Sequence, residues 1–240
     1  MKKIFYLFSI FVVLINFGCE NNDDQTVLIV DDIPTIDQKK QFKILSLGDS
    51  YTIGESVCET CRFPEQLKDS LSITFKKDTT FSLQVIARTG WTTTNLINAI
   101  EQENISDDFD LVTLLIGVNN QFQNSNFSIY EKEFPELIST SIKAANNKRN
   151  NVIVVSIPDY AFTPFGRGSA SISAGIDKYN TFAKNYCEQN GITFVNITDI
   201  TRQGLTNTNL VASDGLHPSV LAYSKFVERI LPISLEKLNN

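Results

Sequence analysis

The chain predicts an α/β fold, with a central parallel sheet of about five strands covered by helices on both faces. Three observations carry that expectation. From about residue 42 onward, short apolar runs alternate with longer amphipathic stretches, the pattern of strands joined by helical crossovers. Several runs read as continuous β-branched or leucine-rich segments, as expected of strands buried on both faces. Polar, glycine-bearing segments follow the runs directly, and in open parallel sheets ligands sit beyond the carboxyl ends of the strands.

The elements follow in order. Phe42–Leu47 predicts the first strand and ends in Gly48-Asp49-Ser50-Tyr51, with a helix expected over Glu65–Phe75. Phe81–Ala87 predicts the second strand, followed by Thr89-Gly90 and a helix over Thr93–Glu101. The third, Leu111–Ile116, runs into Gly117-Val118-Asn119-Asn120. Tyr130, Phe134, Leu137, Ile138, Ile142 and Ala145 then recur on one helical face. Val152–Ile157 predicts the fourth strand and leads into a loop with Phe162, Pro164 and Phe165, whose tip at Gly166–Ser169 is expected to be mobile. Ile172, Ile176, Tyr179, Ala183 and Tyr186 mark another helix, Ile192–Ile197 a fifth strand, and Ser219–Leu235 a closing helix. Neither an internal repeat nor a second domain is visible, so residues 41–240 are expected to form one domain.

The beginning of the chain has a different character. Met1-Lys2-Lys3 is positive and Ile4–Phe17 almost wholly apolar, the layout of a signal peptide and short for a bilayer span. Gly18-Cys19 resembles a bacterial lipoprotein processing site, although Asn16 stands where an aliphatic residue is more usual. That resemblance implies cleavage after residue 18, lipidation of Cys19 and a membrane anchor at the periplasmic or cell-surface side, the outer membrane above all; a plain secretory signal is the alternative. Residues 19–40 then read as a polar tether, including Asp31–Lys40.

With 21 basic and 27 acidic residues the net charge is −6, and no Lys/Arg cluster suits a phosphate backbone, so nucleic acid is not an expected partner. Beyond Cys19 there are Cys58, Cys61 and Cys187. An exported chain meets an oxidising compartment, and Cys58-Glu59-Thr60-Cys61 could close a small disulfide loop, leaving Cys187 free. A zinc site would need two further ligands, so neither a metal nor an organic cofactor is expected.

The chemistry centres on one imidazole. His217, in Asp214-Gly215-Leu216-His217-Pro218, is the single histidine of the chain. A serine hydroxyl is a poor nucleophile at neutral pH and is ordinarily activated by an imidazole that a carboxylate orients. Ser50 stands at a strand-to-helix junction, where free amides and a helix dipole favour negative charge. Asp214 lies three residues before His217, and Pro218 is expected at the first position of the last helix. Each residue also has an ordinary reading: Ser50 as an N-cap, Asp214-Gly215 as a turn, His217 as a surface side chain. Asp49 reads as an acceptor organising its loop, whereas Asp159 and Asp199, which also follow strands, compete with Asp214.

Taken together, Gly48-Asp49-Ser50, the isolated Gly90, Gly117-Val118-Asn119 and Asp214 to Pro218 resemble, in order, the four blocks of the SGNH (GDSL-type) hydrolase family. Tyr51 stands where leucine is common, and Asn120 where aspartate often is. The resemblance spans roughly residues 42–235 and implies a flavodoxin-like three-layer α/β/α sandwich. It implies Ser50 as nucleophile, His217 as base and Asp214 as its orienting partner. The oxyanion hole would come from the Ser50 and Gly90 amides and the Asn119 side chain. The expected activity is hydrolysis of carboxylic esters, short-acyl or acetyl, with carbohydrate-borne esters among the candidates, falling in mildly acidic solution as the base takes up a proton. A non-catalytic glycan-binding lipoprotein and an acyltransferase are the rival expectations. Trp91 and the aromatics of the 160–166 loop are candidate walls of the substrate site.

Overall fold

The computed structural model describes residues 40–75 and 78–239. The expected signal peptide and Cys19 lie outside the described residues. Of the expected tether only Lys40 is described, and it already pairs with Thr79 as the first residue of a strand.

Five parallel strands, β1 (Lys40–Gly48), β2 (Thr79–Ala87), β3 (Leu111–Leu115), β4 (Val152–Val155) and β5 (Thr193–Val195), form a sheet in the order β2-β1-β3-β4-β5. The helices are α1 (Ser50–Ile53), α2 (Phe63–Thr74), α3 (Thr93–Glu103), α4 (Val118–Phe122), α5 (Phe127–Ala144), α6 (Ala170–Gln189), α7 (Thr198–Thr201) and α8 (Val220–Asn239). Helix α2 packs on α8, while α5 packs on both α3 and α6, giving the expected layers around the sheet. The central strands explain the apolar-rich runs: Ile44, Leu45, Leu47, Leu111, Val112 and Leu114 are fully buried, and the two hydroxyls among them, Ser46 and Thr113, bond each other at 2.9 Å.

This order reverses between β1 and β3, so the loops after those strands diverge and open a crevice at their carboxyl ends. Gly48 lets α1 fold back tightly there, because a Cβ on it would lie 2.1 Å from Thr52 Oγ1 and 2.4 Å from the Leu115 carbonyl. The closing helix begins later than expected. Pro218 forms an isolated bridge with Val211, and Ser219 caps the helix by accepting the Ala222 N–H. The 166–169 tip is hydrogen-bonded throughout, with the Gly168 N–H donating to the Ala161 carbonyl at 2.7 Å and Gly166 N–H to Thr163 Oγ1 at 3.1 Å. The expected mobile tip is therefore a closed turn, which composition alone did not reveal.

Candidate active site

The loops after β1, β2 and β3 meet the Asp214–Pro218 segment around one cavity of about 190 Å³. Ser50, Gly90, Asn119 and His217 all line it, together with Tyr51, Val118, Phe122, Tyr160 and Leu216. A larger opening of about 510 Å³ lies at the opposite, amino end of the strands between Lys40, Asp110, Arg149 and Lys237, where no nucleophile stands beside a base.

Ser50 opens α1 but does not cap it. The cap is Asp49, whose Oδ1 accepts the Tyr51 N–H at 3.0 Å, so the Ser50 hydroxyl is not consumed by the backbone. With only four residues, α1 has little dipole to offer, contrary to the expectation from sequence. Negative charge near Ser50 would instead be met by individual N–H groups. Gly90 has φ +85°, and a Cβ built there would meet nothing within 4 Å. Its absence answers a backbone requirement and leaves the approach to the cavity open.

Asn119 donates one Nδ2 proton to the Trp91 carbonyl at 3.0 Å, and a primary amide has a second. Trp91 thus contributes its backbone, while its ring packs against the core rather than lining the cavity. The neighbouring Asn120 is buried and accepts the Thr93 N–H at 3.0 Å while donating to Thr93 Oγ1 at 2.7 Å, tying the loop after β2 to the loop after β3.

His217 is held from two sides. Its Nδ1 lies 2.5 Å from Asp214 Oδ2, and its ring packs 5.3 Å from the Tyr51 ring. Asp214 Oδ1 accepts the Leu216 and His217 backbone N–H groups at 2.9 and 3.0 Å. Its Oδ2 also accepts the Ser56 hydroxyl at 2.7 Å. Desolvation would raise the Asp214 carboxyl, but the bonds from Ser56, His217 and the two amides overcome it and hold the group well below the usual carboxylate range. The competing acids are engaged elsewhere: Asp159 with Arg202 at 2.9 Å, Asp199 with Arg229 at 2.5 Å.

Sequence reasoning missed Ser56 and Glu55, which follow α1. The Thr89 hydroxyl donates to Glu55 Oε2, so this loop reaches both Asp214 and the residue before Gly90. No local pattern signals contacts 158 and 34 residues distant. Cys58 and Cys61 form a disulfide, 1.92 Å between sulfurs, just beyond the loop. Cys187 is free and buried, which pushes its thiol up to about 12 and makes it inert.

The five-stranded parallel sheet with flanking helices is the fold of SGNH-type hydrolases. The chain belongs to the GDSL-like lipase/acylhydrolase family, whose sequence profile matches residues 46–225, and is a carboxylic ester hydrolase of that kind. Among solved structures it is similar to an acetylxylan esterase, Axe2, from Geobacillus stearothermophilus (TM-score 0.62, 17% identity, 85% of this chain and 97% of that one). It is also similar to the psychrotrophic esterase EstA from Pseudoalteromonas sp. (0.58, 17%, 82% and 99%). A member of the lipolytic G-D-S-L family from Veillonella parvula matches at 0.61, 16%, 80% and 97%. At these identities the likeness concerns the fold. No curated protein matches the chain in sequence.

Proposed function

We propose that the protein is a serine esterase that cleaves short-acyl esters through an acyl-enzyme. The observation that carries the reading is that Ser50 and His217 line one cavity while Asp214 holds the far side of the imidazole. With Nδ1 bound to Asp214, Nε2 is the nitrogen left for the hydroxyl. Ser50 Oγ attacks the ester carbonyl as His217 takes its proton, and the oxyanion draws on the Ser50 and Gly90 amides and the Asn119 Nδ2. Collapse of the adduct expels the alcohol, which receives that proton. A water then attacks the acyl carbonyl, His217 again acting as base, and the acid leaves with Ser50 restored.

The small cavity, walled by Val118, Phe122, Tyr160 and Leu216, favours acetyl over long acyl chains. Phe122 and Phe165, about half exposed and 5.9 Å apart, flank Tyr160 and offer faces on which a sugar ring can stack. Similarity to an acetylxylan esterase supports an acetylated carbohydrate as the alcohol component. The apolar leader, Cys19 and an exposed disulfide support an exported, membrane-anchored enzyme; metabolic labelling with a radiolabelled fatty acid, lost in Cys19→Ser, tests the anchor. For the chemistry, a fluorophosphonate probe should label the purified protein and fail on Ser50→Ala. Hydrolysis of a model-ester series should fall steeply from acetyl to lauroyl. Absent labelling would favour the glycan-binding alternative, and turnover that requires an acceptor alcohol would favour the acyltransferase.

A further inference from the structure

The loop after α1 connects parts of the site that are far apart in sequence. The Gly54 and Glu55 N–H groups both donate to the carbonyl of Ser50 at 3.0 Å, so the loop is fastened to the nucleophile's own residue. Two positions on, Ser56 donates to Asp214 Oδ2 at 2.7 Å. Among the described residues this is the one hydrogen bond between residues 50–57 and residues 214–217. It lands on the same carboxylate oxygen that faces the imidazole, 2.5 Å from Nδ1.

The loop is built to keep that hydroxyl in place. Ser56 sits at φ +67°, a conformation unfavourable for a residue with a Cβ, so the surrounding structure must impose it. Gly54, at φ +81°, packs so closely under Arg62 that a Cβ there would lie 2.6 Å from the arginine Cβ. The Cys58–Cys61 disulfide closes the turn between Ser56 and Arg62, and the Cys61 N–H donates to the Cys58 carbonyl at 2.8 Å. Glu55 receives the Thr89 hydroxyl from the loop that carries Gly90.

We propose that Ser56 is a positioning residue for the acid–base pair: its hydroxyl fixes Asp214 Oδ2 and thereby the tilt and tautomer of His217 relative to Ser50, with the disulfide as its brace. Two donors sharing one oxygen divide its charge, so the direction of the imidazole bond depends on both. Without Ser56, the carboxylate stays anchored through Oδ1 by the Leu216 and His217 amides, but Oδ2 keeps only the imidazole as partner and can shift with it. The ring then samples orientations in which Nε2 no longer addresses the nucleophile.

The test uses the chain's single imidazole. Its Nδ1–H proton should give one isolated far-downfield NMR resonance in the wild-type protein. In Ser56→Ala, a change at an exposed position that keeps the Cβ, that resonance should move upfield or broaden. Meanwhile kcat falls about tenfold with KM little changed, the size expected for one hydrogen bond to a charged group. Cys58→Ser/Cys61→Ser should give the same changes in weaker form. An unchanged resonance in Ser56→Ala overturns the proposal, and so does an altered resonance with wild-type kcat. The kinetic arm rests on the esterase reading, the spectroscopic arm does not: if wild-type protein fails to react with fluorophosphonate, that reading falls, and the resonance alone decides the role of Ser56.

Discussion

Two aspartates stand behind residues that line the cavity, Asp49 directly before Ser50 and Asp214 three residues before His217, and their surroundings push their carboxyls in opposite directions. Asp49 is fully buried; it accepts one N–H, from Tyr51, and among the described residues its Oδ2 has no hydrogen-bond partner, nor do the buried hydroxyls of Thr52 and Tyr223. Burial pushes its carboxyl up to about 8, so at neutral pH it is mostly protonated. Asp214 lies on a partly exposed turn and collects two amides, a hydroxyl and the imidazole, which keep it ionised. The side chains are identical; the number of donors supplied in place of water decides the charge. The arrangement suits the proposed chemistry on both sides. A neutral group next to Ser50 does not repel an oxyanion forming there, and a charged one beside His217 stabilises the imidazolium.

The same substitution at both positions should have very unequal effects. Asp214→Asn removes the charge and offers an amide N–H where His217 needs an acceptor, so kcat is expected to fall by about 10⁴. Asp49→Asn retains the acceptor for the Tyr51 N–H and replaces one neutral group with another, so kcat should stay within about tenfold. Steady-state kinetics on a model acetyl ester decides it, and equal losses would show that both aspartates act as charges. A smaller effect is expected across the cavity. Asn119→Ala deletes a candidate oxyanion donor and should lower kcat by roughly 10²–10³ while leaving KM nearly unchanged. A change confined to KM would make Asn119 a ground-state contact only.

The same contrast separates what was legible in the sequence from what was not. The sheet was legible because the β1, β3 and β4 runs are largely apolar, with Lys43, Ser46 and Thr113 as interruptions, and Ser50, Gly90 and Asn119 because each stands within four residues of a strand end. The Asp214–His217 pairing is local, three residues apart, and needs no tertiary knowledge. Ser56 was invisible because its partner lies 158 residues away and its positive φ is not signalled by a glycine or asparagine at that position. The charge of Asp49 was equally hidden. Gly48-Asp49-Ser50 shows an acceptor near a turn, but only the folded structure shows that its carboxyl is fully buried with one N–H donor from Tyr51 and no cation paired with it among the described residues. Trp91 was misjudged for the opposite reason: an aromatic beside a motif invites a ligand role, whereas the fold uses its carbonyl.

Stability provides the subtlest test of the two aspartates. The folded protein retains the Asp49 proton up to about pH 8, whereas the unfolded chain releases it near the ordinary carboxylate value of 3.8. Between those limits the native state binds more protons than the unfolded state, so this group makes stability fall as pH rises from about 4 to 8 and leaves it level above that. Asp214 acts with the opposite sign: its carboxyl is depressed in the folded state, so its contribution is present above the unfolded value and is lost only as pH drops below it. Its effect is therefore complete at pH 5 and constant up to pH 8, which isolates Asp49 in that window. At ~1.4 kcal/mol for each pH unit of unmatched proton binding, softened by water reaching the site once the group ionises, the expected loss is a few kcal/mol. For a domain of this size that is a decline in Tm of about 5–10 °C between pH 5 and pH 8. Asp49→Asn cannot titrate, so its thermal melts should be flatter across that range and cross above those of the wild type toward pH 8. Parallel curves would mean that Asp49 is already ionised at pH 5, with water or an unseen donor satisfying Oδ2, and the opposition between the two carboxylates would disappear.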